Sequence, residues 1–264
     1  MEQFLNQKVR DLYERLDFPQ AAYVGQKIFK NLFYQEQQVS KTIQKVIQEQ
    51  IEAFYLLFNI TTDNCHIAPI QTSEVEYVEL QLLHVQLRSK DLSKTQLQAL
   101  AESIHKAIPY PLILVFENQQ QIQFSLAEKR INQLEEAHDK LVLQDVVQSG
   151  WIDLSAITDI EDRFFEHITF NRLSRQNMMV LYKDIVRAVI ALNIARKTGE
   201  FQWLDTDEAQ QEQHKRLLQI QNVERQIIES TNKINKESQF NVRVEMSMQI
   251  KQLKQELNRL SNKE

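Results

Sequence analysis

Val75-Glu-Tyr-Val-Glu-Leu-Gln-Leu-Leu-His-Val-Gln-Leu-Arg-Ser-Lys-Asp-Leu-Ser-Lys-Thr-Gln-Leu-Gln-Ala-Leu-Ala-Glu-Ser-Ile-His-Lys-Ala-Ile-Pro-Tyr-Pro-Leu-Ile-Leu-Val-Phe-Glu-Asn-Gln-Gln-Gln-Ile-Gln-Phe-Ser-Leu126 decides the fold. In Leu92-Ser93-Lys94-Thr95-Gln96-Leu97, Ser93 can accept from the amide three residues on while Gln96 reaches back to the amide of Ser93. That is a capping box, with Leu92 and Leu97 at the positions of a hydrophobic staple. Leu97, Leu100, Ala101, Ile104 and Ile108 then recur at three- and four-residue steps, which predicts an amphipathic helix. Pro109 and Pro111 end it, since neither supplies an amide proton.

Leu112 to Phe116 is a continuous apolar run too short for a helix, so it reads as a strand buried on both faces. The strand before the helix, roughly Val78 to Leu87, should lie parallel to it through a right-handed crossover. After a polar turn at Glu117 to Gln121, Ile122, Phe124 and Leu126 alternate with Gln123 and Ser125. The alternation predicts an antiparallel, half-exposed strand at a sheet edge.

Upstream, Phe4, Leu5, Val9, Leu12 and Leu16 pattern as a short helix stopped by Phe18-Pro19. Tyr23 to Tyr34 is expected as a loop or short helix on the core. A helix from about Ser40 buries Ile43, Val46, Ile47 and Ile51, and Phe54 to Ile60 follows as a strand. Cys65 to Ile70 is expected as a second short strand. Downstream, residues 134–138 are expected to finish a short helix and Leu141-Val142-Leu143 to form an extra strand, with Trp151 and Leu154 anchored against the sheet. A helix near Ile160 precedes another that starts at Ser174 and ends at Arg196-Lys197-Thr198-Gly199, cations in the last turn and glycine just beyond.

From Thr206 the apolar content thins, which divides the chain into a core domain, 1–204, and a terminal one, 205–264. In the latter, Leu217, Ile220, Ile227 and Ile234 sit on one seam with Glu224 and Thr231 in the remaining heptad slots. Met246, Ile250, Leu253, Leu257 and Leu260 form a second, in four-three alternation. The two runs are out of phase across Lys236 to Asn241, so the reading is an antiparallel helical hairpin, with pairing to a second chain as the other arrangement. A first arm of about 28 residues would reach roughly 40 Å at about 1.5 Å per residue. The fold class is therefore α+β: a mixed sheet with a β-α-β crossover and flanking helices, followed by a C-terminal antiparallel coiled-coil hairpin. Such an arm is expected to project from the core and hold another protein or another copy of itself through the seam residues.

Composition limits the chemistry. The 264 residues carry a net charge of -5, 42% hydrophobic residues, three glycines, four prolines and one cysteine. Gly25, Gly150 and Gly199 lie far apart, which excludes a P-loop and a dinucleotide fingerprint. The negative charge argues against a dominating phosphate-binding surface. Arg175, Lys183 and Arg187, on or beside one helix, are a weak nucleic-acid patch whose plainer reading is a solvated face with ordinary counter-charges. A lone Cys65 suits the reducing cytoplasm, and no run approaches the roughly 20 apolar residues of a membrane span. Cys65 and His66 are adjacent and, on a strand, would point apart, so no metal and no cofactor is expected. No serine stands in a nucleophile elbow.

The element order from Ser40 to Glu117 resembles the core of restriction-endonuclease-like nucleases, which bind a divalent ion with an acid from one strand and a Glu-x-Lys on the next. The resemblance would assign Asp63 as the acid and Glu79-Leu80-Gln81 as the second element, with Gln81 where the lysine would stand. Without that cation, water activation and charge stabilisation at a phosphate are weakened. The plain alternative is that Glu79 and Gln81 line the solvated face of a strand.

Phe18-Pro19 followed by Lys27-Ile28-Phe29-Lys30 and Leu32-Phe33, then Ile108-Pro109-Tyr110-Pro111 leading into Leu112 to Phe116, Trp151, and Gln239-Phe240-Asn241 with Val244-Glu245 stand in an order similar to the bacterial family known as domain of unknown function 4391. The resemblance covers nearly the whole chain and offers no catalytic residue to carry over. It implies an accessory component encoded beside helicases and DNA methyltransferases in restriction-like or phage-defence gene clusters. Two functions follow as expectations: a non-catalytic interaction subunit docking such a partner, or a metal-dependent or degenerate nuclease.

Overall fold

A computed structural model describes residues 4–35, 39–88, 92–132, 141–204 and 206–262. The expected helix at 134–138 lies outside the described residues. Contacts within the chain define two compact units, Met1–Val189 and Ile190–Glu264.

The first unit contains helices α1 (Gln7–Leu16), α2 (Leu32–Gln35), α3 (Lys41–Gln50), α4 (Thr62–Cys65), α5 (Lys94–Ala107) and α6 (Asp159–His167). Its strands are β1 (Tyr23–Ile28), β2 (Ile51–Thr61), β3 (Ile70–Gln71), β4 (Glu76–Tyr77), β5 (Glu79–Leu87), β6 (Leu112–Asn118), β7 (Gln121–Ile131), β8 (Leu141–Gln148) and β9 (Ile152–Asp153). Helix α7 (Met178–Thr198) runs across the division, and α8 (Asp207–Ile234) and α9 (Phe240–Asn262) follow. The main sheet has the order β1-β2-β5-β6-β7-β8, with β9 paired to β7, and β3-β4 form a separate ribbon. Among the described residues only β5-β6 is parallel; the other pairs are antiparallel.

The parallel pair is joined by the capped helix, as the sequence predicts. Ser93 Oγ accepts from the Gln96 amide at 3.2 Å, and Gln96 Oε1 accepts from the Ser93 amide at 2.9 Å. Leu97, Leu100, Ala101 and Ile104 face the sheet and are buried with Ile43 and Ile47 of α3, Leu83 and Val85 of β5, and Leu112, Leu114 and Phe116 of β6. Every residue of β6 is buried. On the other face, α1 and α6 meet through Arg15 and Asp162 at 2.8 Å, and Phe164 lies edge-on to Phe124.

Several boundaries move, each for a local reason. Residues 23–28 form an edge strand rather than a loop or helix; Gly25, at φ 61°, sits in a bulge that breaks the period-two pattern. Cys65 to Ile70 is no strand. Asn64 accepts from the Thr61 amide at 2.9 Å and donates to the Asn59 carbonyl at 2.8 Å, closing the single turn of α4 before the short β3. Strand β7 is neither half-exposed nor at an edge: β8 and β9 continue the sheet beyond it, and Gln123 and Ser125 are buried. Helix α7 begins at Met178 instead of Ser174, because Asn177 Oδ1 takes the Val180 amide at 2.9 Å and so acts as the cap. The extra strand expected at Leu141 is present as β8. Gly199, at φ 83°, follows α7 as the glycine rule requires.

Candidate functional site

The strand carrying Glu79-Leu80-Gln81 is fixed from both sides. Thr61 and Asn59 of β2 pair with Glu79 and Gln81, while Gln81 also pairs with Leu112 and its amide donates to the Pro111 carbonyl at 3.1 Å. Residues two apart share a face, and Gln81 Nε2 donates to Glu79 Oε1 at 2.7 Å. On that face the helical layer leaves a cavity of about 340 Å³ lined by Ile28, Leu32, Phe33, Leu56, Gln81, Leu83, Ala107 and Ile108. Glu79 is half-buried beside it.

The third nuclease candidate is placed differently. Asp63 stands on the exposed single turn of α4, just past the end of β2, instead of on a strand. Among the described residues no group of three or more His, Cys, Asp or Glu side chains gathers as a metal site. Cys65 and His66 are also off any strand: Cys65 ends α4, and His66 is its left-handed cap at φ 55°. Burial raises the Cys65 thiol pKa, an effect only partly offset by the charge of Arg175.

Sequence reasoning missed two buried polar clusters. In the first, His84 Nδ1 lies 2.9 Å from the Tyr13 hydroxyl and its Nε2 lies 2.7 Å from Glu117 Oε2. Gln86 Nε2 donates to the same carboxylate at 3.2 Å, and Asn6 donates to its other oxygen. A carboxylate taking several donors is stabilised where an unpaired one would be costly. Burial, then the charge of Glu117, hold the Tyr13 hydroxyl well above its ordinary pKa.

In the second cluster Lys129 of β7 donates to the carbonyls of Ile108 and, at 2.6 Å, Tyr110. Ile108-Pro109-Tyr110-Pro111 ends α5, and the lysine answers carbonyls that the helix leaves open. Burial brings the Lys129 pKa down to about 7. Nearby His105, buried and 3.3 Å from Ser125 Oγ, is pushed to about 3 by burial and then by Lys129, so it is neutral. One sequence signal existed for the first cluster: a histidine in the apolar run Leu82 to Val85 and a glutamate closing the apolar run Leu112 to Phe116, in two strands that a crossover makes neighbours.

The three cations proposed for nucleic acid have local partners. Arg187 pairs with Asp184 at 3.1 Å, Lys183 lies 3.9 Å from Glu128, and Arg175 donates to Asn171 Oδ1 at 2.9 Å while stacking over Phe170.

The second unit holds the seam residues. Helices α8 and α9 fold back on each other, and Arg216 near the start of α8 donates to the Leu260 and Ser261 carbonyls at the end of α9, at 2.7 and 3.1 Å. Leu217 and Ile220 are buried, whereas Ile227, Ile234, Met246, Ile250, Leu253, Leu257 and Leu260 are only half-buried. The heptad slots drift. Val223 is buried, Glu224 turns out to pair with Lys197, and Thr231 is exposed, bonding its hydroxyl to the Ile227 carbonyl. Ile228, Phe240 and Met248 are 61%, 77% and 62% exposed.

The fold defines an α+β protein with a helix-covered mixed sheet and paired C-terminal helices. It belongs to the family described as Domain of unknown function (DUF4391), whose model matches residues 16–257. No curated protein and no solved structure matches it. Among the described residues no helix is long and apolar enough to cross a membrane.

Proposed function

We propose that this protein is a non-catalytic, cytoplasmic accessory subunit of a bacterial restriction-like, anti-phage assembly, and that the α8–α9 hairpin docks its helicase or DNA methyltransferase partner. The family resemblance supplies the context. The observation that carries the docking reading is the row Phe240, Val244 and Met248, spaced by four on α9, with Ile228 on α8, all exposed. Large apolar side chains in such a row lose contact with water favourably only when another surface covers them. Co-purification of the full-length chain with the products of neighbouring helicase and methyltransferase genes tests it. Replacing Ile228, Phe240 and Met248 together by serine should abolish recovery of the partner with helicity unchanged; undiminished recovery would sink the reading.

The nucleolytic alternative keeps one favourable observation. Strand β6 joins β5 in parallel through α5 as that alternative expects, although β2 passes to β5 with no strand of the main sheet at residues 65–70 between them, and β1, on the other side of β2, precedes α3 in the chain. Magnesium- or manganese-dependent DNA cleavage that vanishes in Glu79→Ala would favour that alternative over docking.

A further inference from the structure

We propose that the cavity beside Gln81 binds a small organic cation, an amidinium, guanidinium or ammonium group carried on a compact apolar body. The side chains that line it are apolar, Ile28, Leu56, Leu83 and Ile108 among them, with Gln81 the polar exception. One of the two N–H donors of the Gln81 side-chain amide is committed to Glu79, which holds that carboxylate at the edge of the cavity. An incoming group therefore meets the Gln81 carbonyl oxygen, which takes no hydrogen bond among the described residues, the second Gln81 N–H and, at the edge of the cavity, the Glu79 carboxylate, the negative charge on that side.

Glu79 is half-buried, and among the described residues no lysine, arginine or histidine pairs with it. A carboxylate partly withdrawn from water without a counter-charge gains from a cation that brings its own donors, and gains little from a neutral body of the same shape. Lys129, which reaches the carbonyl of the lining residue Ile108, is turned to that carbonyl and to the one of Tyr110 and is spent there. The volume, about 340 Å³, falls at the small end of ligand cavities, which run from about 300 to 1,000 Å³. It suits one aromatic ring or a short alkyl stem.

This inference needs no partner protein and stands or falls separately from the docking reading. Calorimetric titration of the full-length protein with benzamidinium chloride, and with benzamide as its neutral isostere, tests it. Saturable benzamidinium binding at least ten-fold tighter than benzamide is expected, with the advantage lost in Glu79→Gln and both probes weakened in Leu83→Phe, which fills the cavity. Equal affinities, an advantage that survives Glu79→Gln, or no saturable binding by either probe would overturn the proposal. Should Leu83→Phe fail to fold, the half-exposed Glu79→Gln variant still decides.

Discussion

Strand β6 and helix α9 are both rich in apolar side chains, yet the chain treats them differently. Every residue of β6 is buried, between strands on either side and helices above and below. In α9 no described residue is fully buried, although the helix packs on α8 and its five seam residues are half-buried. Apolar periodicity therefore states that a face is to be covered. It does not state how much of the cover the same chain provides.

The largest expected effect lies in β6. Phe116→Ala should cost about 3–5 kcal/mol in urea unfolding, as large-to-small changes of buried aromatics do; a loss under about 1 kcal/mol would mean that this core is looser than its burial implies.

Next comes Lys129, among the described residues the one lysine or arginine that is buried. Its folded-state pKa of about 7 lies below the ordinary 10.5. Between those values the unfolded chain holds a proton that the folded chain has released, so stability rises with pH by up to about 1.4 kcal/mol per unit. Below about pH 7 the penalty is fully present and the slope vanishes. The difference in unfolding free energy between wild type and Lys129→Met, followed from pH 7.5 to 9.5, should carry this rise; the lower limit keeps clear of His105, neutral in the fold and protonated in the unfolded chain below about pH 6.5. The upper limit avoids the buried Tyr13 and Tyr182, whose raised pKa values make stability fall again as unfolded tyrosines ionise. Parallel profiles would place the lysine in water.

The smallest effect belongs to the hairpin. Ile228→Ser and Met248→Ser should each change folding stability by no more than about 0.5 kcal/mol, read from urea midpoints. A loss above about 2 kcal/mol would show that those side chains are covered by their own chain, and the contrast with β6 would disappear.

How much could be read beforehand follows the same division. The capped helix, the buried run at Leu112 to Phe116 and the two helical arms are written in local signals: a cap, a period, a proline. Strand β1 was hidden because its bulge at Gly25 destroys alternation within six residues. Gln123 and Ser125 suggested a wet face because a small polar side chain looks the same whether it meets solvent or, as Ser125 does, a buried histidine. The Tyr13–His84–Glu117 contacts join residues 71 and 33 positions apart, and only the strand register brings them together. Nothing local in the sequence marks Glu79 as unpaired beside a cavity, since that depends on where α2 and α5 leave the sheet uncovered.

The side chain of Asn6 has two tasks. It accepts from the Val9 amide at 3.1 Å, starting α1, and donates to the Glu117 carboxylate and to the Gln119 carbonyl, the latter at 2.8 Å. One amide group thus both opens that helix and ties its first turn to the β6–β7 turn, beside the Tyr13–His84 and Arg15–Asp162 contacts further along. Asn6→Ala would therefore loosen the start of α1 and its attachment to the β6–β7 turn together.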